Sequence, residues 1–223
     1  MNQKTAVLFD LDGTLIDTAP DFAIVLNQLL NRHNKAALDY PTIRACVSNG
    51  SGALITLAFG LTPNDAGFTP LRNELLDLYE TNLCIETKLF DELDQTLDWI
   101  EQQSLAWGVV TNKPYRYAKP IIKGLGLEAR CSALVCPDHV THTKPDPEPL
   151  RLALSTLNAE AKSSIYIGDH IRDIQAGKNA GMQTIATGYG YIDEQDNIDT
   201  WQADHTINKS TELLPLLKSL LNH

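Results

Sequence analysis

The most constraining feature of the sequence is a short apolar run that ends abruptly in acidic residues. Positions 7–9 read VLF, which is typical of a buried parallel strand, and positions 10–14 read DLDGT. In a continued strand Asp10 and Asp12 would point the same way, because side chains alternate with a period of two. Two carboxylates at one strand tip repel each other unless a cation or a shared proton relieves them. We therefore expect this tip to form part of a ligand site.

A glycine follows the two acids. Gly13 has no β-carbon where a ligand would approach the backbone, and amides that follow a strand are free to face an anion. The alternative is that Asp12 and Gly13 only make a turn after a strand.

The rest of the chain divides into two kinds of pattern. Positions 16–86 carry helix signals with no convincing strand, with helix starts near 20, 40, 53 and 69 and a break at 48–52. From position 88, apolar strands alternate with helices. The predicted strands are 105–110, 133–136, 164–167, 184–186 and 204–207. The predicted helices are 93–100, 114–125, 147–157, 171–180 and 213–221.

Strands that alternate with helices indicate a parallel sheet covered on both faces. We therefore predict an α/β fold with a doubly wound parallel sheet and an all-helical domain inserted after the first strand. The predicted core comprises residues 1–15 and 87–223, and the inserted domain comprises residues 16–86.

Polar residues follow four of the predicted strands. They are Asp10 and Asp12 after the first strand, Thr111 and Asn112 after the second, Lys144 in the loop after the third, and Asp169 and Asp173 after the fourth. In open α/β sheets, ligands bind outside the carboxyl ends of the strands. We therefore expect these side chains to meet at one edge of the sheet.

These residue types suit metal-assisted phosphoryl transfer. Mg²⁺ takes oxygen ligands such as Asp10 and Asp169, with water completing its shell. Lys144, Thr111 and the amides near Gly13 would hold phosphoryl oxygens. One carboxylate can attack phosphorus while its partner handles the proton.

Singly, each residue also has an ordinary structural explanation. Thr111 and Asn112 would cap a helix, and Lys144 would be a solvated loop lysine. Asp169 and Asp173 would be a capping acid and a surface acid. All of these would have to coincide at one edge of one sheet, which favours the phosphoryl-transfer site.

Four motifs resemble those of the haloacid dehalogenase superfamily: DLDGT at 10–14, TN at 111–112, KP at 144–145 and GDHIRD at 168–173. The resemblance implies that Asp10 is the nucleophile that forms an aspartyl-phosphate. It implies that Asp12 is the general acid and then the base, with its backbone carbonyl on Mg²⁺. The implied phosphate-binding residues are Gly13, Thr14, Thr111, Asn112 and Lys144. The implied metal-binding residues are Asp10, Asp12, Asp169 and Asp173.

One residue departs from these motifs. His170 stands where many members carry a small residue, and we expect it to line the edge of the site. The inserted helices resemble the cap of the phosphoglycolate phosphatase branch. Asp12 argues against the dehalogenases and phosphonatases, which lack the second acid. Positions 20–23 read PDFA, without the histidine that hexose-phosphate mutases carry there.

The stretches 107–114, 136–140, 144–150 and 188–192 are similar to the bacterial N-acetylmuramic acid 6-phosphate phosphatases of peptidoglycan recycling. Phosphoglycolate phosphatases share the TNKP and YGY pieces but match the CPDHV piece less well. The resemblance therefore favours N-acetylmuramic acid 6-phosphate as the substrate, with 2-phosphoglycolate as the alternative.

Both candidate substrates carry a carboxylate besides the phosphate, so a second cation or a group of amides is expected to face the leaving group. The candidates are Arg44, Lys113, Arg116 and the loop of Ser48, Asn49 and Gly50 that runs to position 52. Arg116 is the one that we expect to be a solvated surface charge. The loop has the alternative of being a flexible connector.

Charge and composition limit the partners. The 223 residues carry a net charge of −10 without a basic run, so neither nucleic acid nor an anionic membrane is an expected partner. The start of the chain lacks a signal-type apolar stretch, and the four cysteines form no Cys-x-x-Cys pair. We expect free thiols, a cytoplasmic location, a small-molecule phosphate ester as substrate, and a monomer or homodimer.

A function of a different class remains open. A non-catalytic phospho-acceptor module, like a response-regulator receiver, also combines a doubly wound sheet with an acidic metal site, a threonine and a lysine. In such modules the acceptor aspartate lies on a later strand than the acidic pair. Here Asp10 and Asp12 follow the first strand together.

Overall fold

The computed structural model describes residues 5–193 and 196–221. Its strands are β1 (Ala6–Phe9), β2 (Ile16–Asp17), β3 (Lys88–Leu89), β4 (Ala106–Val110), β5 (Leu134–Val135), β6 (Ile165–Gly168), β7 (Gln183–Thr187) and β8 (His205–Ile207). Six of them form one parallel sheet in the order β5-β4-β1-β6-β7-β8. The predicted doubly wound parallel sheet is therefore confirmed.

Nine α-helices lie within the described residues. They are α1 (Ala19–Arg32), α2 (Tyr40–Cys46), α3 (Gly50–Phe59), α4 (Phe68–Thr81), α5 (Leu93–Gln102), α6 (Tyr115–Gly124), α7 (Glu148–Leu157), α8 (Ile171–Ala180) and α9 (Leu213–Leu221). Each predicted helix is present, although α3 begins at Gly50, inside the predicted break. None of these helices combines the length and apolar composition that a membrane crossing requires.

The position of β1 in the sheet explains why the first motif organises the chain. All four residues of β1 are fully buried, and the strand pairs in parallel with β4 on one side and β6 on the other. After β1 the chain adds β4 and then β5 on one side of that strand, and it then crosses over to add β6 on the other side. The carboxyl end of β1 is thus the switch point of the topology, where ligands of such sheets bind.

The structure corrects the prediction that positions 16–86 contain no strand. Ile16 and Asp17 form β2, which pairs antiparallel with Leu89 and Lys88 of β3. A two-residue strand carries no periodic signal, and its partner is remote in sequence, so the pattern did not reveal it. This ribbon joins the two points where the chain leaves the first strand and returns from helices α1–α4.

Asp21 connects the segment that leaves the first strand to the segment that returns from helix α4. Its buried carboxylate, in the first turn of α1, accepts hydrogen bonds from the backbone N–H groups of Ile85 (3.3 Å) and Glu86 (2.7 Å) and from the hydroxyl of Thr87 (2.6 Å). Charge-assisted bonds of this kind are the strong ones in proteins. Asp21 therefore fixes the returning segment against the start of the helical insertion.

Replacement of Asp21 by alanine should destabilise the protein. The three donors lose their acceptor, so we expect Asp21→Ala to lower the free energy of unfolding by about 2–4 kcal/mol in urea titrations. Asp77→Ala is the matched control, because Asp77 is an exposed acid of α4 and should change the free energy by less than about 0.5 kcal/mol. Equal effects of the two substitutions would contradict the role of Asp21.

Candidate functional site

Asp10 lies at the carboxyl end of β1 and continues its pairing. The backbone N–H of Asp10 donates to the carbonyl of Ile167 in β6 (2.8 Å), and the backbone N–H of Leu11 donates to the Asp10 carboxylate (2.7 Å). The residue is only 9% exposed. The carboxylate is therefore held at the centre of the sheet edge.

Lys144 holds together the acids at this edge. Its ammonium lies 2.9 Å from a carboxylate oxygen of Asp10 and 2.7 Å from one of Asp173. It also donates to the carbonyl of Val110 (3.0 Å) and the hydroxyl of Tyr166 (2.8 Å). Burial alone would lower the pKa of Lys144, but the two aspartate charges outweigh it and raise that pKa. The ammonium thus stays charged between the two carboxylates.

Three carboxylates form a cluster that suits a hard divalent cation. Asp10, Asp169 and Asp173 each offer an oxygen, and these oxygens lie within 4.8 Å of one another. Burial, followed by the charges of Asp10 and Asp173, raises the pKa of Asp169 to about 7. Burial also raises the pKa of Asp10, which the charge of Lys144 only partly offsets. A bound cation would relieve this repulsion, and the all-oxygen donor set fits Mg²⁺ or Ca²⁺.

Asp169 is closely surrounded by Gly13, Thr14, Ser48 and Tyr191, a set of contacts that we call the cradle. Its carboxylate accepts hydrogen bonds from the hydroxyl of Thr14 (3.0 Å), the backbone N–H of Tyr191 (3.0 Å) and the hydroxyl of Ser48 (3.1 Å). A β-carbon at Gly13 would lie 2.1 Å from the Asp169 carboxylate. The predicted phosphate contact of Thr14 is therefore corrected: the residue is fully buried and its hydroxyl supports Asp169. Gly13 is required for the close approach.

Asp12 points away from that cluster. Its carboxylate accepts hydrogen bonds from the hydroxyl of Thr18 (2.6 Å) and from the ammonium of Lys113 (2.8 Å). Lys113 also donates to the hydroxyl of Tyr79 (2.8 Å) and lies 5.0 Å from the ring centroid of Phe22. Lys113, predicted as a contact of the leaving group, is thus already the ion-pair partner of Asp12, although it lines the same cavity.

Thr111 and Asn112 lie at the end of β4, as expected. The hydroxyl of Thr111 accepts a hydrogen bond from the backbone N–H of Lys113 (3.1 Å). The side-chain amide of Asn112 donates to the carbonyl of Lys144 (3.0 Å) and accepts from its N–H (3.2 Å). Asn112 therefore fixes the backbone of the loop that carries Lys144.

A cavity of about 700 Å³ opens above Asp10 and Asp12. Thr111 and Asn112 line it from the core, and the segment 48–52 lines it from the helical insertion. The residues Ser48, Asn49 and Gly50 therefore face the same space as the two catalytic candidates. The predicted loop at this segment is corrected, because it comprises the end of a 3-10 turn (Val47–Asn49) and the start of α3.

Arg44 does not reach this cavity. Its guanidinium donates to the carbonyls of Tyr189 (2.8 Å) and Gly190 (2.9 Å) and stacks 5.0 Å from the ring centroid of Tyr191. The prediction that Arg44 contacts the leaving group is therefore corrected. The rotation of α2 directs the side chain to the loop after β7, where it links the insertion to the core.

His170 was expected at the edge of the site and instead caps α8. Its ring nitrogen accepts a hydrogen bond from the backbone N–H of Arg172 (3.1 Å), and its ring stacks on Trp201. Burial, followed by the charge of Arg172, lowers the pKa of His170 to about 4, so the ring is neutral at pH 7 and can accept this bond. His170 is thus a structural residue of the helix start.

Sequence patterns missed two residues that build the site. Tyr166 donates to the carbonyl of Val110 (2.9 Å) as well as accepting from Lys144. The sequence carries one signal for Tyr166, because it is a tyrosine inside an apolar strand and a buried phenol hydroxyl needs a hydrogen-bond partner. Arg172, in the first turn of α8, donates to the carbonyl of Ser48 and so joins the core to the helical insertion.

Comparison with known proteins gives consistent matches. A family model described as "Haloacid dehalogenase-like hydrolase" matches residues 7–187. The chain is 45% identical over 216 residues to N-acetylmuramic acid 6-phosphate phosphatase of Pseudomonas putida, with 97% of each chain covered. It is 38% identical over 213 residues to phosphoglycolate phosphatase of Xanthomonas campestris pv. campestris, with 96% of each covered.

A solved structure agrees with these relatives. The crystal structure of a predicted phosphoglycolate phosphatase from Haemophilus somnus has a TM-score of 0.83 and 25% identity. The match covers 97% of this chain and 99% of that one, so it includes the helical insertion as well as the sheet.

The cradle around Asp169 predicts a contrast between two glycines. Gly13 and Gly126 both have positive φ, but a β-carbon at Gly126 would meet nothing within 4 Å. We expect Gly126→Ala to lower the free energy of unfolding by about 1 kcal/mol, the cost of the left-handed backbone. Gly13→Ala should cost at least about 3 kcal/mol, because Asp169 must also leave its hydrogen bonds. Equal losses in urea titrations would show that the cradle tolerates a side chain.

Proposed function

Because the chain belongs to the haloacid dehalogenase-like hydrolases, we propose that it is a phosphomonoesterase that acts through an aspartyl-phosphate on Asp10. One observation supports this most strongly. A buried nucleophilic carboxylate, a lysine and two further carboxylates meet at the end of β1, under a cavity. A non-catalytic receiver-like module is not favoured, because the family is one of hydrolases.

In the first step, an oxygen of Asp10 attacks phosphorus while the bond to the leaving oxygen breaks. Asp12 gives its proton to that oxygen as the general acid. In the second step Asp12 takes a proton from water, the water oxygen attacks phosphorus, and the Asp10 carboxylate is released with inorganic phosphate. Asp12 must therefore be protonated when the ester binds, and the proton that it takes from water in the second step restores this state. Lys113 and Thr18 both donate to Oδ1 of Asp12, which leaves Oδ2 to carry the proton, and the Lys113 ammonium pairs with the carboxylate once the proton has left.

Binding of the phosphoryl group is assigned to residues at the same edge. Lys144, the hydroxyl of Thr111 and the backbone amides that follow Asp10 would neutralise its oxygens. Asn112 acts by fixing the backbone of Lys144. Because Lys144 contacts Asp10, the same ammonium can hold the nucleophile and the group that it attacks.

Mg²⁺ is the metal that we propose. Asp10, Asp169 and Asp173 would bind it through oxygen, with the backbone carbonyl of Asp12 as the further ligand that the family resemblance implies. The ion would supply positive charge for the phosphoryl oxygens. Thr14 and Ser48 would orient Asp169 toward it.

The proposed substrate is N-acetylmuramic acid 6-phosphate. A cavity of about 700 Å³ is within the usual range for ligands larger than a two-carbon acid. The relative with 45% identity carries this substrate in its name. The second candidate is 2-phosphoglycolate, the substrate in the name of the Xanthomonas relative, and we expect it to have the lower kcat/KM.

We further propose that residues 16–86 form a cap over a core of residues 1–15 and 87–223. The β2–β3 ribbon and the Asp21 contacts support a boundary where the chain leaves the first strand and another where it returns from α4. A cytoplasmic location is supported by four free cysteines. The state of assembly, monomer or homodimer, stays a prediction, as does the expectation of no nucleic-acid or membrane partner.

Removal of the nucleophile should abolish turnover. Asp10→Asn removes the attacking charge at nearly constant volume, so we expect phosphate release from N-acetylmuramic acid 6-phosphate to fall at least roughly a thousandfold. Circular dichroism and thermal unfolding should show a folded protein. Turnover within tenfold of the wild type would reject Asp10 as the nucleophile.

Chelation should also abolish phosphate release. We expect EDTA to stop the reaction and added Mg²⁺ to restore it, since the acidic cluster binds a removable ion. Ca²⁺ should inhibit, because its larger and looser coordination shell would misplace the attack. Full activity after exhaustive chelation would exclude the proposed metal.

A further inference from the structure

The cavity is more cationic than the protein around it. Among the described side chains that line it, four are basic, Arg72, Lys113, Arg116 and Arg172, whereas Asp10 and Asp12 are the acidic ones. The whole chain has a net charge of −10. This excess of positive charge is therefore local, and it favours an anionic ligand.

Two of these cations already have a partner that fixes them. Lys113 pairs with the Asp12 carboxylate at 2.8 Å, and Arg172 donates to the carbonyl of Ser48. Lys144 is likewise committed to the acids at the sheet edge. These groups therefore lie at the reacting end of the cavity or hold the backbone at Ser48.

Arg72 and Arg116 differ from them. Within residues 5–193 and 196–221, neither forms an ion pair with a carboxylate. Arg72 donates from Nε to the hydroxyl of Ser51 (2.9 Å). The Arg116 guanidinium donates to the hydroxyl of Tyr117 and lies 4.4 Å from the centroid of that ring. Neutral groups thus hold both side chains, and most of their N–H donors stay available.

The two arginines come from different parts of the fold. Arg72 belongs to α4 of the proposed cap, and Arg116 belongs to α6 of the proposed core. Both line the cavity that opens above Asp10. A guanidinium offers a planar fork of donors that matches a carboxylate, and like charges in one cavity repel until an anion enters.

We propose that Arg72 and Arg116 form a subsite for a carboxylate on the leaving group of the substrate. The inference rests on the proposed phosphatase function and adds the residues that select the leaving group. A ligand with a phosphoryl group at Asp10 and a carboxylate at these arginines would bridge cap and core. The subsite replaces Arg44 as the source of the second positive charge.

Two pairs of substrates isolate the carboxylate. N-acetylmuramic acid 6-phosphate differs from N-acetylglucosamine 6-phosphate by a lactyl ether that carries a carboxylate. In the second pair, 2-phosphoglycolate has a carboxylate where ethyl phosphate has a methyl group. In each pair, the ratio of kcat/KM measures the preference for the carboxylate. We expect Arg72→Ala and Arg116→Ala each to lower this ratio by about 10- to 100-fold for the natural pair.

Two further variants make the test specific. Arg116→Lys keeps the positive charge but loses the planar set of guanidinium donors, so the kcat/KM ratio should fall less than in Arg116→Ala. Lys119→Ala removes an exposed cation from the same helix, one turn further on and outside the cavity lining, and should keep the ratio within about twofold. A ratio that is unchanged in both arginine-to-alanine variants, for both pairs, would overturn the subsite and leave the phosphatase function standing.

A binding measurement separates the two proposals. Calorimetric titration with unphosphorylated N-acetylmuramic acid and N-acetylglucosamine requires no turnover. We expect the wild type to prefer the acid, and the Arg116→Ala variant to lose that preference. If none of the four esters is hydrolysed, the proposed phosphatase function is wrong. The subsite is then tested only by the binding preference of the wild type for N-acetylmuramic acid. Equal affinity of wild type and variant for the acid would overturn it.

Discussion

The structure depends on one buried ammonium among carboxylates. Lys144 lies 2.9 Å from Asp10 and 2.7 Å from Asp173, at a sheet edge where Asp169 adds a third acid. Burial and the neighbouring charges raise the pKa of Asp10 and of Asp169, and the charge of Lys144 offsets part of the rise at Asp10. Asn112 and Tyr166 hold the lysine in place. Burial, followed by the charges of Asp10 and Asp173, raises the pKa of Asp169, and a divalent cation would relieve the repulsion among these acids.

The helical insertion reaches the same acids from above. The hydroxyl of Ser48 donates to Asp169, and Arg172 beside that cluster donates back to the carbonyl of Ser48. Arg44, Asp21 and Tyr79 make further links between insertion and core. Closure of the proposed cap would therefore change the surroundings of a proposed metal ligand as well as the size of the cavity. Under the proposed function, these contacts would couple substrate selection to the orientation of the reactive acids.

The helices and strands that are long enough to show a hydrophobic period could be predicted from the sequence. The parallel sheet and the family are confirmed, because the polar residues end consecutive strands in a fixed order. The β2–β3 ribbon was missed because each strand has two residues and pairs with a remote partner. Arg44 was misplaced because the rotation of α2 depends on tertiary packing, which has no local signal. Arg116 is exposed, as expected, and its additional place in the cavity lining emerged only from the folded chain, for the same reason.

In the proposed reaction, a carboxylate of the protein attacks phosphorus first, before any water molecule does. The stereochemical course at phosphorus distinguishes this order from direct attack by water, with a thiophosphate ester of the substrate that is chiral through 16O and 18O and is hydrolysed in water enriched in 17O. Attack by Asp10 followed by attack by water comprises two in-line displacements, so we expect chiral inorganic thiophosphate with overall retention of configuration. Overall inversion would mean a single displacement by water, and Asp10 could then serve only as a metal ligand.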